Sequence, residues 1–213
     1  QSTLQEENLP GRPMRKNAPE KRLMILTTSL ELGGAETQIY RIARGLRQRG
    51  WQVCVVAVIP VEHFLEPLRE AGVEVISLGA QPGNADPRLI RRLLRHVRDF
   101  RPDILVTFLY HANLLGRIVG RLGRVPVVIS SVRNSRFGGR YGPAVLRLTD
   151  RVAAVTLATS QRVASELSAK KVVHPRRLKV IPNGLEVSQY VASEEQRQVV
   201  RERLGIGEEF HWI

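Results

Sequence analysis

The chain has 213 residues, 43% of them hydrophobic and 25% charged, which is the chemistry of one large globular domain or one and a half. A formal net charge of +13 and a pI near 11.0 favour acidic partners: nucleic acid, an anionic membrane surface or phosphorylated substrates. Cys54 is the only cysteine, so no disulfide forms within the chain, and no apolar run reaches the roughly 18 residues of a spanning helix.

Residues 1–21 are polar and proline-containing and read as a flexible lead-in; they lack the apolar core of a secretory signal. Leu23–Thr28 follows as a buried strand. Gly33 and Gly34 interrupt the sequence, and from Ala35 the period changes: Ile39, Ile42, Ala43 and Leu46 fall on one side of a helix over 35–49, stopped by Gly50. A strand, a glycine turn and an amphipathic helix in that order open an α/β fold, and the helix N-terminus offers free N–H donors to an anion. Gln52–Ile59 is a second, nearly continuous apolar strand that places Cys54 in the interior. A short helix over Val61–Ala71 and a third strand over Val73–Leu78 come next.

Beyond a loop at 79–87, Asp86 is placed to cap a helix over 87–100. Ile90, Leu93, Leu94 and Val97 share one face of it, and Arg91, Arg92, Arg95 and Arg98 the other. Such a basic stripe suits phosphates or lipid head groups, and equally a solvated surface. Ile104–Phe108 is the fourth strand, with Tyr110-His111-Ala112-Asn113 as the turn after it and a helix from Leu114 to Leu122. Val127–Ser131 is the fifth strand, Arg133 and Asn134 lie past its end, and residues 136–142 form a glycine-rich basic loop. A helix over Pro143–Thr149, a sixth strand over Ala153–Ala158, a helix over 161–170 capped by Ser160 and a seventh strand over Leu178–Ile181 complete the series. After the turn Pro182-Asn183-Gly184 come one amphipathic helix and a terminal Phe210-His211-Trp212-Ile213 that reads as half a strand.

Repeated strand–helix alternation predicts an α/β fold: a doubly wound, mostly parallel, seven-stranded Rossmann-like sheet. Ligands in such sheets bind past the C-terminal strand ends where the winding reverses. Gly33-Gly34, His111 and Arg133-Asn134 each follow a strand and are placed to meet there. Three segments are expected: a lead-in over 1–21, a Rossmann-like domain over 22–184, and over 185–213 a linker with the start of a second domain.

These features together resemble the N-terminal half of family-4 glycosyltransferases, which have the two-Rossmann GT-B fold. The resemblance covers residues 22–213 and rests on five elements: the opening strand, Gly33-Gly34-Ala35-Glu36, His111 after the fourth strand, Ile181-Pro182-Asn183-Gly184, and Arg203-Leu204-Gly205-Ile206. Glu186 departs from the family's Asp in Asn-Gly-x-Asp. The resemblance implies transfer of a sugar from a nucleotide-sugar to a hydroxyl with retained configuration, no metal or other cofactor, and a chain that does not turn over alone. His111 matches the family's catalytic position that contacts the donor sugar. Gly33 and Gly34 would line the diphosphate or acceptor with backbone N–H groups. Arg133 and Asn134 would hold an acceptor phosphate, joined by Arg136 and Arg140. Glu36 would hold an acceptor hydroxyl, although it also suits a helix's first turn. Pro182, Asn183 and Gly184 would be the interdomain hinge.

The partners so implied are the missing C-terminal donor-binding domain, a nucleotide-sugar, a carbohydrate or lipid-linked acceptor and an anionic membrane surface. The lone strand cysteine is consistent with a reducing cytoplasm, and the basic charge with a peripheral place at the inner face of a membrane. Three other readings compete. A nicotinamide site would need G-x-G-x-x-G and an acidic residue ending the second strand, but the chain has Leu32-Gly33-Gly34-Ala35 and Val58-Ile59-Pro60. A non-catalytic module for nucleic acid or another polyanion fits the charge but not the 5% aromatic content, so nucleic acid is disfavoured. A regulatory fragment with the same fold and no chemistry is the third. His63, His96, His174 and His211 have no metal-ligand spacing.

Overall fold

The computed structural model describes residues 20–81, 86–133, 139, 141–185, 187 and 193–206. They fall into two compact units that divide between Pro182 and Asn183. In the first unit, β1 (Arg22–Thr27) is followed by α1 (Gly34–Gln48), β2 (Gln52–Ala57), α2 (Leu65–Glu70), β3 (Glu74–Ser77) and α3 (Arg88–Phe100). Next come β4 (Ile104–Phe108), α4 (Tyr110–Leu122), β5 (Val127–Val132), α5 (Gly142–Thr149), β6 (Val155–Ala158), α6 (Gln161–Ala169) and β7 (Leu178–Val180).

The seven strands form one sheet in the order β3-β2-β1-β4-β5-β6-β7, and every pairing is parallel. The sequence reading of a mostly parallel sheet thus becomes a wholly parallel one. Strand alternation sorts the core onto two faces. Met24, Leu26, Cys54 and Val56 pack with Leu93 and Val97 of α3 and Val119 of α4. Leu23, Ile25, Val53 and Val55 pack with Ile39 and Ala43 of α1 and Leu68 of α2. Burial, reinforced by Glu74, pushes the Cys54 thiol far up, so it stays a protonated core group.

Two helices start elsewhere than their sequence pattern predicts. The helix expected from Val61 begins at Leu65. Phe64 is buried, stacks on Tyr40 and donates its N–H to the Leu30 carbonyl, so the incoming chain is drawn onto the core as a turn. The helix expected from Leu114 begins at Tyr110, directly after Leu109. Residues 110–113 are therefore helix, not turn, because one residue makes the whole reversal.

Helix α4 lies unusually close to the sheet. A Cβ on Gly116 would collide with the Thr107 methyl, and one on Gly120 would sit 2.6 Å from Val128 Cγ2. On α4, Arg117 is buried among polar groups of β5, α5 and β6. Its Nε donates to Ser130 Oγ (3.0 Å), and Nη1 to the Leu146 carbonyl (2.8 Å) and Thr149 Oγ1 (3.0 Å). Burial lowers its pKa and nearby Asp150 pulls it back up. Asp150 accepts from Arg177 Nη1 at 3.0 Å and from the His174 N–H at 3.1 Å.

In the second unit, Ser193 Oγ accepts from the Gln196 N–H and starts α7 (Glu194–Leu204), and Gly205 ends it in a left-handed turn at φ 64°. The expected terminal strand and most of the expected lead-in lie outside the described residues.

Candidate functional site

β1, β4 and β5 are neighbours, and their C-terminal ends are level: Thr27 pairs with Phe108, and Phe108 with Ser131. At the usual strand spacing, those three ends span about 10 Å. This is also where the winding reverses, since the chain leaves β1 outward through β2 and β3 and returns to β4 on its other flank. The loops carrying Gly33-Gly34, His111 and Arg133 therefore rise from one short stretch of rim.

Gly33 precedes α1 with φ −163°, an extended backbone open to any residue. A Cβ there would meet the end of the Glu36 side chain. Gly34 has nothing within 4 Å of where its Cβ would be, so the mouth of α1 is open. Glu36 folds back beside it and is only 8% exposed, with Oε1 accepting from Ser29 Oγ at 3.1 Å. A solvated first-turn carboxylate would be far more exposed. Glu36 is instead an inward-facing acceptor at the rim.

Arg133 is half-buried, and its guanidinium carbon lies 5.5 Å from the centre of the Phe108 ring at the end of β4. Burial pushes its pKa down and the Glu36 carboxylate pulls it back up. Opposite charges at the start of α1 and past the end of β5 thus lie near one another at the rim. The hydroxyl of Thr28, one residue past β1, is buried and has no hydrogen-bond partner among the described residues.

His111 stands exposed in the first turn of α4, its ring edge-on to Tyr110 at 5.2 Å between centroids. Its position depends on Leu109, held at φ 71° and ψ 162°, a conformation that is essentially glycine's. Strain of about 1–3 kcal/mol is stored there. Below His111 the helix is fastened by Asn113, which accepts from Thr107 Oγ1 at 2.6 Å and donates to the Ser131 carbonyl at 3.1 Å. Ser29, Phe108 and Leu109 were not among the residues the sequence singled out. Only their places at strand ends hinted at them.

Asn134, Arg136 and Arg140 lie outside the described residues. Pro182, Asn183 and Gly184 are exposed past β7 and straddle the division between the two units. Among the described residues, no group of three or more His, Cys, Asp or Glu gathers as a metal would need, and no helix is long and apolar enough to cross a membrane.

Solved structures of similar fold include Anabaena HepE in complex with UDP and glucose, at TM-score 0.69 and 20% identity over 87% of this chain and 50% of that one. A glycosyltransferase from Rickettsia africae follows at TM-score 0.68 and 12% identity, over 90% and 51%. A UDP-GlcNAc 2-epimerase from Neisseria meningitidis, bound to UDP-GlcNAc, gives 0.55 and 15%, over 88% and 54%. The chain thus spans about half the length of these proteins, and no curated protein matches its sequence significantly. The description "Glycosyl transferase 4-like domain" matches residues 33–184, from the Gly33-Gly34 turn to the Pro182-Asn183-Gly184 turn. That match takes in most of the chain, which belongs to the glycosyl transferase 4-like family as the N-terminal, Rossmann-like half of a GT-B fold.

Proposed function

We propose that this chain is the acceptor-side half of a glycosyltransferase that moves a sugar from a nucleotide-sugar to a hydroxyl, with retained anomeric configuration. The observation that carries the reading is the open mouth of α1 at Gly34, on the rim where β1, β4 and β5 end level and whose loops bear Glu36, His111 and Arg133. The fold alone does not decide it, since an epimerase shares it. The family match favours transfer, and the UDP and glucose held by HepE favour a nucleotide-sugar donor.

In such a reaction the leaving diphosphate gains negative charge while the sugar gains oxocarbenium character. Donors already aimed at the diphosphate stabilise it more than water can. The N–H groups at the start of α1, with Gly34 leaving space before them, fill that role. Glu36 and Arg133 nearly cancel in charge, so together they read hydroxyl groups, one as acceptor and the other as donor. His111 donates to a hydroxyl of the donor sugar. Asn134, Arg136 and Arg140 would bind the phosphate of a lipid-linked acceptor or a carbohydrate acceptor. Charge stabilisation by N–H groups and arginines calls for no metal ion or other cofactor. In this reading Pro182, Asn183 and Gly184 join a donor-binding domain to this one, and the enzyme works in the cytoplasm against the membrane.

A direct test compares the 213-residue chain with a polypeptide that joins it to its donor-binding half. Both are given a panel of UDP- and GDP-sugars with oligosaccharide and lipid-linked acceptors. Retained-configuration product from the joined polypeptide, and none from the chain alone, is the expected result. Turnover by the chain alone, or an inverted product, contradicts the proposal.

A further inference from the structure

The opposite pole of the sheet holds a second feature, independent of the sugar-transfer reading. Where the chain enters β5, β6 and β7, a hollow of about 360 Å³ is lined by Arg121, Arg124, Arg151 and Arg177, and by no acidic residue. Strands of five or six residues put it roughly 17–20 Å from the His111 rim.

The ordinary explanation of such arginines is that they answer the partial negative charge of helix C-termini. That accounts for part of the cluster. Arg121 sits in the last turn of α4 and Arg124 just beyond it. Half a charge per helix end does not account for four guanidinium groups around one hollow. Arg177 is paired with Asp150. Among the described residues, Arg121, Arg124 and Arg151 make no ion pair, and all three are exposed. Arg124 is also held at φ 54°, where glycine is the usual residue. Gly50 and Gly72 hold that conformation after α1 and α2, and Arg101 and Lys171 hold it after α3 and α6. Three exposed guanidinium groups that make no ion pair among the described residues, gathered with a fourth around one hollow, call for a compensating anion.

We propose that this hollow binds a phosphate-type anion, supplied by a soluble phosphorylated compound or by a phospholipid head group. The lipid source has support of its own: Leu122, beside Arg121, and Leu148, one turn before Arg151, are 54% and 82% exposed, giving apolar contacts next to the cations.

Inorganic pyrophosphate is titrated into the 213-residue chain by calorimetry at low and at physiological salt. The double variant Arg121→Gln/Arg151→Gln removes two cleft charges and leaves the Arg177–Asp150 pair intact. Arg91→Gln/Arg95→Gln on the exposed face of α3 removes the same charge elsewhere. Saturable one-to-one binding, weakened at least tenfold in the cleft variant and less than twofold in the α3 variant, is expected. Equal losses in the two variants, or no saturable binding by the unmodified chain, overturns the site. Sedimentation with phosphatidylglycerol–phosphatidylcholine vesicles separates the sources. Capture lost in the cleft variant assigns the site to lipid head groups, and pyrophosphate binding without capture assigns it to a soluble phosphate; both uphold the site.

Discussion

Replacing Arg117 by Met tests whether a buried cation fastens α4 and the segment after β5 to the sheet. Three hydrogen bonds of 2.8–3.0 Å are lost, to Ser130, Leu146 and Thr149. Each acceptor keeps another contact: Ser130 with Thr107, Thr149 with Val145, and the Leu146 carbonyl with Thr149. A fourth bond, to Thr156 Oγ1, is long at 3.5 Å and is lost as well, so the cost is taken at about 1 kcal/mol for each of the three short bonds. Methionine fills similar volume and removes the desolvation of a buried charge, which returns about 1 kcal/mol. Asp150 retains Arg177 and the His174 N–H and is not left unpaired. The expected loss is about 2 kcal/mol, read as a urea midpoint shift at unchanged slope, with a melting temperature lower by roughly 4–8 °C for a chain of this size. Arg117→Lys is expected to fall between the two, since an ammonium cannot reach all three acceptors. A methionine variant as stable as the parent, or more stable, refutes the reasoning and makes Arg117 one of the buried ions that hydrophobic packing replaces without loss.

Gly116→Ala and Gly45→Ala form a matched pair. Both gain about 1 kcal/mol of helix propensity. At Gly116 the methyl meets Thr107 and overpacking costs about 1–3 kcal/mol, whereas at Gly45 it meets only the end of the Arg49 side chain at 3.2 Å. Chemical denaturation is expected to show Gly116→Ala less stable than the parent and Gly45→Ala slightly more so; the reverse order contradicts the close seating of α4. Lys171, exposed at φ 52° after α6, is expected to give a melting temperature a few degrees higher when changed to glycine. Relief of about 1–3 kcal/mol of strain there exceeds the roughly 0.5–1 kcal/mol that glycine loses in chain entropy. An unchanged or lower temperature means the strain is not there.

Strand positions were legible because their signal is local. Val53–Ala57 and Ile104–Val106 are unbroken apolar runs, and buried parallel strands need little more. The parallel order followed from alternation with helices, and the rim followed from the order. Leu109 was illegible because nothing in a leucine announces a glycine-like backbone, and with it went the true start of α4 and the helical setting of His111. Arg117 looked like one polar position on an amphipathic helix. Its burial depends on Ser130, Thr149 and Asp150, which no local window brings together. Glu36 carried two readings, and only its contact with Ser29 and its pull on Arg133 favoured the inward one.

The central claim is that the β1–β4–β5 rim performs sugar transfer. The most direct test is kcat for nucleotide release by the joined two-domain polypeptide carrying His111→Ala. His111 is exposed, so its loss leaves the melting temperature unchanged. The account predicts a fall of about 10²-fold or more, the scale of losing one donor aimed at the reacting sugar. A kcat within twofold of the parent would contradict it.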